Sequence, residues 1–134
     1  MRKLYLDIDG VLITSKNPIN VPHGIDDFIR YITSNFDCYW LTTHCHSNPE
    51  ECIRYLKPYF TDDILALLSR VKPTNWNTLK TEAINLCETF FWLDDHPMIA
   101  EKRVLEAAEK SECLITVNLS HKDELNKIVN ILKS

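Results

Sequence analysis

Residues 4–12 read LYLDIDGVL, a short apolar strand that leads into two aspartates and a glycine. In extended backbone alternate side chains share a side, so Asp7 and Asp9 face one space while Ile8 faces the other. Two carboxylates that share a space repel each other unless a cation lies between them or one keeps a proton. Gly10 follows, and a residue without Cβ lets the backbone turn sharply and bring its N–H close to an anion. The stretch therefore predicts a chemical site directly after the first strand.

The composition is that of an ordinary globular protein. The chain has 134 residues, enough for a hydrophobic core, and we expect a single domain over residues 1–134. Hydrophobic residues at 45% and charged residues at 25% match globular averages, which argues against disorder. The net charge of -4 argues against a surface built mainly for nucleic-acid phosphates, although it leaves room for a local basic patch.

Cysteine usage and hydropathy favour a cytoplasmic protein. The five cysteines are never spaced as Cys-x-x-Cys, and Cys38, Cys87 and Cys113 lie in or beside apolar stretches, where a free thiol behaves as a small hydrophobe. No run approaches the roughly 18 apolar residues of a membrane span, and Asp7 and Asp9 interrupt the run that a signal peptide would need. We therefore expect a reducing environment and no membrane, and we favour a monomer.

Strands and helices alternate along the rest of the chain. Continuous apolar runs predict strands at 38–41, 90–93 and 114–117. Apolar spacing and capping residues predict helices at 25–32, from the N-cap Asn48 to Pro58, and at 61–68, 77–87, 97–110 and 125–132. Ser120 with Asp123 resembles a capping box for the last helix, and residues 11–22 are expected to form a flap beside Asp7.

Strands that are apolar throughout are typical of a parallel sheet covered on both faces, so the pattern predicts an α/β fold. Ligands of such sheets bind at the carboxyl ends of the strands. Three polar elements each follow a strand directly: the pair Asp7 and Asp9, then Thr42, then the pair Asp94 and Asp95. If these strands are neighbours, the polar groups converge in one crevice.

The string DIDGVL at residues 7–12 resembles the first motif of the haloacid dehalogenase (HAD) superfamily of phosphohydrolases, which is Asp-x-Asp-Gly after a first strand. WLTT at 40–43, a lysine, and WLDD at 92–95 match the family's further motifs in order, so the resemblance covers nearly the whole chain. It implies a three-layer α/β/α sandwich with a HAD-like (Rossmannoid) sheet. The intervals between motifs hold only a loop and short helices, so no cap domain fits and we expect an open site.

The resemblance implies a role for each polar residue of the first two motifs. Asp7 would be the nucleophile that takes up a phosphoryl group, and Asp9 the acid that protonates the leaving oxygen and then the base for water. The Thr42 hydroxyl would donate a hydrogen bond to the phosphoryl group. The backbone N–H groups of Ile8 and Thr43 could bind the phosphate in the same way.

A magnesium ion is the cofactor that the resemblance implies. Asp7, the backbone carbonyl of Asp9, and Asp94 would supply hard oxygen ligands for Mg²⁺, and Asp95 would assist through water. The third motif is a lysine that links nucleophile and phosphate. Lys80 precedes the Asp94 strand as in small family members, whereas Lys72 with Pro73 copies a Lys-Pro dipeptide of larger ones; we favour Lys80 and keep Lys72 as the alternative.

The stretch His44-Cys45-His46 follows Thr42 and leaves three alternatives open. A zinc site is the first, although three adjacent residues cannot all face one metal from regular backbone. A rim that contacts substrate and an ordinary polar loop are the others.

The predicted function is a Mg²⁺-dependent phosphomonoester hydrolase that acts through an aspartyl-phosphate on Asp7. An open site suits a nucleotide, a nucleic-acid end or another large phosphorylated substrate, as well as a small molecule. The small capless form resembles HAD domains associated with RNA-repair proteins. The alternative is a catalytically weak regulatory module that binds phosphate and metal.

Overall fold

A four-stranded parallel sheet lies at the centre of the computed structural model, which describes residues 1–44 and 47–134. The strands are β1 (Lys3–Leu6), β2 (Asp37–Trp40), β3 (Phe90–Asp94) and β4 (Leu114–Thr116), in the order β2-β1-β3-β4. Leu6 at the end of β1 pairs with Trp40 of β2 and Leu93 of β3. The residues that follow these three adjacent strands therefore share one edge, and the parallel α/β fold predicted from the sequence is confirmed.

In the described part of the chain, five α-helices connect and cover the strands: α1 (Ile25–Asn35), α2 (Pro49–Leu56), α3 (Asp62–Leu68), α4 (Ile99–Ala107) and α5 (Glu124–Lys133). Short 3₁₀ turns lie at Lys57–Tyr59, Lys80–Ala83 and Ser111–Cys113. Asn48 caps α2 as predicted, because its Oδ1 accepts a hydrogen bond from the N–H of Glu50 at 3.0 Å. Within the described residues, no helix is both long enough and apolar enough to span a lipid bilayer.

Successive side chains of the strands enter two apolar clusters on opposite faces of the sheet. Leu4 and Leu6 belong to a large cluster shared with α1, α2, α3 and α5, whereas Tyr5 lies in a smaller one with Leu105 of α4. This alternation places helices on both faces. Three aromatic residues of the strands, Trp40, Phe90 and Trp92, are buried in these clusters, while Phe91 is partly buried.

The helix predicted over residues 77–87 is wrong. A 3₁₀ turn, Lys80–Ala83, stands in its place. The carboxylate of Glu82 accepts hydrogen bonds from the backbone N–H groups of Asn77, Thr78 and Leu79 at 3.1, 3.2 and 2.8 Å. These three local hydrogen bonds hold the chain in a tight turn instead of an α-helix. The apolar spacing was misleading, because Ala83 and Leu86 still pack on the smaller cluster.

Two helix boundaries also differ from the prediction. Helix α4 begins at Ile99 and ends at Ala107, shorter than residues 97–110, because the Glu101 carboxylate accepts the N–H of Met98 at 2.9 Å and fixes the start there. The capping box at Ser120 and Asp123 is wrong: Asp123 adopts a left-handed φ of 62° without a side-chain cap, and the Ser120 hydroxyl donates to Asn118 instead.

The described cysteines differ in state. Cys38, Cys87 and Cys113 are free, and burial raises the pKa of the Cys38 thiol to about 12, so it is an inert core group. Cys52 is disulfide-bonded. A disulfide is not expected in the reducing environment that the sequence predicts. The cytoplasmic location stays a prediction.

Candidate phosphate and metal site

Carboxylates from two adjacent strands meet at the carboxyl edge of the sheet. The N–H of Asp7 donates to the carbonyl of Leu93 at 3.1 Å, which continues the ladder between β1 and β3 past the end of β1. This pairing sets Asp7 beside Asp94 and Asp95, and carboxylate oxygens of the three lie within 4.8 Å of one another. Asp7 and Asp94 are buried, and Asp95 is half-buried. We call Asp7, Asp94 and Asp95 the acidic cluster.

A buried lysine joins the acidic cluster. The Nζ of Lys80 lies 2.7 Å from Oδ2 of Asp94 and 3.3 Å from Oδ2 of Asp7, and its side chain is only 12% exposed. Lys72, the alternative, lies elsewhere: its Nζ pairs with Asp37 at 2.9 Å, and Asp37 begins β2 at the opposite edge of the sheet. Of the two lysines, Lys80 is therefore the one that reaches Asp7.

Glu101 holds the backbone of Lys80 in place. Its Oε2 accepts the N–H of Lys80 at 2.6 Å while its Oε1 accepts the N–H of Met98 at 2.9 Å, and the side chain is almost fully buried. The sequence analysis missed this residue. A glutamate at the third position of a helix is a local capping signal that could have marked the start of α4. The contact with Lys80 spans 21 positions and has no such local signal.

Burial and mutual repulsion govern the charge of the acidic cluster. Burial, followed by the negative charge of Asp94, raises the pKa of Asp7 to about 6, although Lys80 and the N–H of Ile8 oppose this rise. Burial and Asp94 likewise raise the pKa of Asp95. Burial lowers the pKa of Lys80, but the charges of Asp7 and Asp94 outweigh it and the net shift is upward. Lys80 thus stays an ammonium at neutral pH.

The Asp9 carboxyl group is not one of the three that form the acidic cluster, and it makes two contacts of its own. Its Oδ2 lies 2.7 Å from Nε2 of His44, and its Oδ1 accepts a hydrogen bond from the Tyr55 hydroxyl at 2.8 Å. The rings of His44 and Tyr55 stack, with centroids 3.8 Å apart. Burial and the bond to Asp9 raise the pKa of Tyr55 to about 12, which keeps its hydroxyl protonated. The sequence analysis did not single out Tyr55, because nothing local links position 55 to position 9.

The remaining predicted residues are placed as follows. Thr42 is fully buried, and its Oγ1 accepts the N–H of His44 at 3.3 Å. The N–H of Ile8 donates to Oδ1 of Asp7 at 2.8 Å, so in this structure Asp7 takes the hydrogen bond that the sequence analysis expected to bind a phosphate. Thr43 is exposed. Cys45 and His46 lie outside the described residues, and His44 turns towards Asp9.

Gly10 fits tightly under Asp95. Its φ is +80°, and a Cβ built on it would lie 2.1 Å from Oδ2 of Asp95. Beside this contact a cleft of about 480 Å³ runs between the flap and the loop after β4, with Lys16, Asn20 and Asn118 in its lining. The flap closes on itself, since the N–H of Thr14 donates to the carbonyl of Asn20 and the N–H of Asn20 donates to Oγ1 of Thr14, both at 2.8 Å.

Gly10→Ala is expected to weaken binding of a divalent cation at least about tenfold, because its methyl group would displace the Asp95 carboxylate by more than an ångström. Gly24→Ala is the matched control. Gly24 has nearly the same φ, +79°, but an added Cβ meets nothing within 4 Å. Both variants carry the same left-handed strain, about 1 kcal/mol. Calorimetric titration with Mg²⁺ would contradict the expectation if both variants bound equally well.

The acidic cluster fits a divalent cation. Three carboxylates and one ammonium sum to a formal charge of −2 when all are ionised, since −3 + 1 = −2. Carboxylate oxygens are hard ligands of the kind that Mg²⁺ prefers, and each keeps a lone pair beyond the hydrogen bonds described. Burial and, after it, the negative charge of Asp94 raise the pKa of Asp7, and a bound cation would relieve the repulsion between the two carboxylates.

The fold and the site define a class: an α/β protein whose parallel sheet carries, at its carboxyl edge, an acidic cluster bridged by a buried lysine. No protein-family model, no curated protein and no solved structure matches the chain.

Proposed function

We propose that this protein is a HAD-like, Mg²⁺-dependent phosphomonoester hydrolase that acts through an aspartyl-phosphate on Asp7. The observation that carries the proposal is the buried Lys80 ammonium in contact with both Asp7 and Asp94. An anionic phosphate approaching an anionic nucleophile needs positive charge beside both. Lys80 supplies this positive charge beside Asp7, which follows β1. Open parallel sheets bind their ligands at this end of the strands.

Asp7 is the nucleophile in this proposal. One carboxylate oxygen forms a bond to phosphorus while the bond from phosphorus to the leaving oxygen breaks. With a pKa of about 6, Asp7 is mostly ionised at pH 7 and above. Its backbone is fixed by the bond to Leu93, and its Oδ1 by the N–H of Ile8.

Asp9 moves the protons. In its protonated form it gives its proton to the leaving oxygen; as a carboxylate it then takes a proton from the water that attacks the aspartyl-phosphate. This second step releases inorganic phosphate and restores Asp7. The side chain of Asp9 is 40% exposed, so both substrate and water can reach it. Thr42 and the N–H of Thr43 would bind the phosphoryl oxygens.

Mg²⁺ is the cofactor of this proposal: Asp7, Asp94 and the backbone carbonyl of Asp9 would hold it, and Asp95 would assist through water. When bound, the ion neutralises charge on the phosphate and on the carboxylates. Within the described residues only the flap and α1 lie between β1 and β2, and only α2, α3 and short 3₁₀ turns lie between β2 and β3, which supports an open site without a cap domain. An open site favours nucleotides, nucleic-acid ends or other large phosphorylated substrates over small ones that need exclusion of water.

The test is release of inorganic phosphate from an aryl phosphate, a set of nucleotides, and oligonucleotides phosphorylated at either end. We expect turnover with Mg²⁺ and its loss in EDTA, with restoration on adding Mg²⁺ back. Mg²⁺ binding without phosphate release from any of these compounds would contradict the proposal. That outcome would favour a regulatory module that binds phosphate and metal.

A further inference from the structure

Both oxygens of the Asp9 carboxyl group are held by partners that follow β2. His44 lies on the loop after β2, and Tyr55 is the penultimate residue of α2. They contact different oxygens of Asp9, at 2.7 and 2.8 Å. Their rings stack on each other with an interplanar angle of 20°. Each ring therefore limits the rotation of the other, and together they fix the plane of the carboxyl group.

This arrangement leaves Asp9 accessible. The side chain of Asp9 remains 40% exposed although both oxygens have a partner. A carboxyl oxygen has two lone-pair positions, so a single hydrogen bond to each leaves room for a proton or for a substrate oxygen. A group that must transfer a proton in the transition state gains most when its orientation is fixed before the substrate arrives.

We propose that Tyr55 and His44 are positioning residues that orient the Asp9 carboxyl group towards the leaving oxygen of the phosphoester. The inference rests on the proposed function. It assigns Tyr55 and His44 to the step in which the bond from phosphorus to the leaving oxygen breaks, and it gives them no contact with phosphate or metal.

A purely structural role is the competing explanation. The same contacts tie the turn after β1 to α2, and their loss could loosen that turn. The two roles differ in their dependence on the leaving group. A nitrophenolate departs readily without a proton, whereas the alkoxide of a nucleoside needs one. A positioning role therefore predicts damage that is confined to the poor leaving group, while a loosened turn predicts equal damage to both.

Tyr55→Phe keeps the ring and its stack on His44 and removes only the hydroxyl. We expect kcat/KM for adenosine 5′-monophosphate to fall about tenfold, in line with the loss of one hydrogen bond to a charged group. For para-nitrophenyl phosphate we expect kcat/KM to stay within about twofold, because kcat/KM reports only steps up to departure of the leaving group. The Mg²⁺ affinity should not change.

Tyr39→Phe is the matched control, because Tyr39 also donates its hydroxyl to an aspartate, Asp37, at 3.1 Å. That pair lies in β2, away from the acidic cluster, and the variant should hydrolyse both esters as the wild type does. If Tyr55→Phe fails to fold, His44→Gln and His44→Ala are compared on the same two esters. The glutamine amide can still reach Asp9, so His44→Gln should retain more activity than His44→Ala.

Equal losses on both esters, or no loss on either, would overturn the positioning role while leaving an active phosphatase. A wild-type protein that hydrolyses neither ester would instead overturn the proposed function, and this inference with it.

Discussion

Asp7→Asn is expected to reduce the rate of phosphate release by about a thousandfold or more. The same variant is expected to stabilise the metal-free fold at neutral pH. The loss of activity follows from the nucleophile: an amide has no anionic oxygen to attack phosphorus. The variant keeps the size of the side chain and its Oδ1, so the N–H of Ile8 still finds an acceptor.

The gain in stability follows from the pKa of Asp7. Its folded-state value, about 6, lies above the ordinary value of 3.8. Such a group stabilises the folded state fully below pH about 4 and loses this contribution as the pH rises through about 6. Above that pH, ionised Asp7 weakens the fold by up to about 3 kcal/mol relative to a neutral side chain. Asparagine is neutral throughout, so the advantage of the variant should grow between pH 4 and pH 7.

Chemical denaturation in EDTA at several pH values measures this difference. Asp37→Asn is a control of opposite sign, because despite slight burial the hydrogen bonds from Lys72 and Tyr39 hold the pKa of Asp37 below its ordinary value. That variant should be less stable than the wild type above pH about 4, and the deficit should disappear as the pH falls through the lowered pKa of Asp37. An inactive Asp7→Asn variant whose stability advantage over the wild type is no larger at pH 7 than at pH 4 would disprove the electrostatic explanation.

The second large effect is expected for Lys80→Met. Removing the ammonium leaves Asp7 and Asp94 buried side by side without a cation, and breaking one partner out of a buried pair costs about 3–5 kcal/mol. We expect phosphate release to fall at least about a hundredfold, because positive charge is lost beside the nucleophile. Saturating Mg²⁺ should recover part of the stability and little of the activity.

Lys72→Met is the matched control for Lys80→Met. Its Nζ pairs with Asp37, and its side chain is 56% exposed. An exposed pair of this kind contributes little to stability, and we expect turnover within about twofold of the wild type. Thermal melting and phosphate release, measured for both variants side by side, decide which lysine acts beside Asp7. If Lys72→Met were the inactive variant, the assignment of Lys80 would be wrong.

The sequence predicted the parts of this protein that depend on local pattern. Strand sites follow from unbroken apolar runs, and the placement of Asp7 and Asp94 follows from their position directly after such runs. The lysine could not be decided in this way, because the Lys-Pro dipeptide at 72 and the position of Lys80 are both plausible locally. Only the strand order, which sets β1 beside β3, brings Lys80 to Asp7.

Contacts between distant positions account for what the sequence could not reveal. Tyr55 meets Asp9 across 46 positions, and Glu101 meets Lys80 across 21. Each is an ordinary helical residue by pattern. The false helix at 77–87 has the opposite cause: its periodicity was real, but Glu82 hydrogen-bonds to three preceding N–H groups and the local turn prevailed.

The flap has a consequence for protein engineering. Its neck is closed by the paired hydrogen bonds between Thr14 and Asn20, so we expect changes at residues 15–18 to leave Gly10 and Asp95 in place. Loops closed at the base accept altered length at a small entropic cost. Residues 15–18 thus form a segment beside the cleft in which libraries of varied length and charge can be displayed without rebuilding the sheet that carries the acidic cluster, provided that Ile19, which packs on the large apolar cluster, is kept.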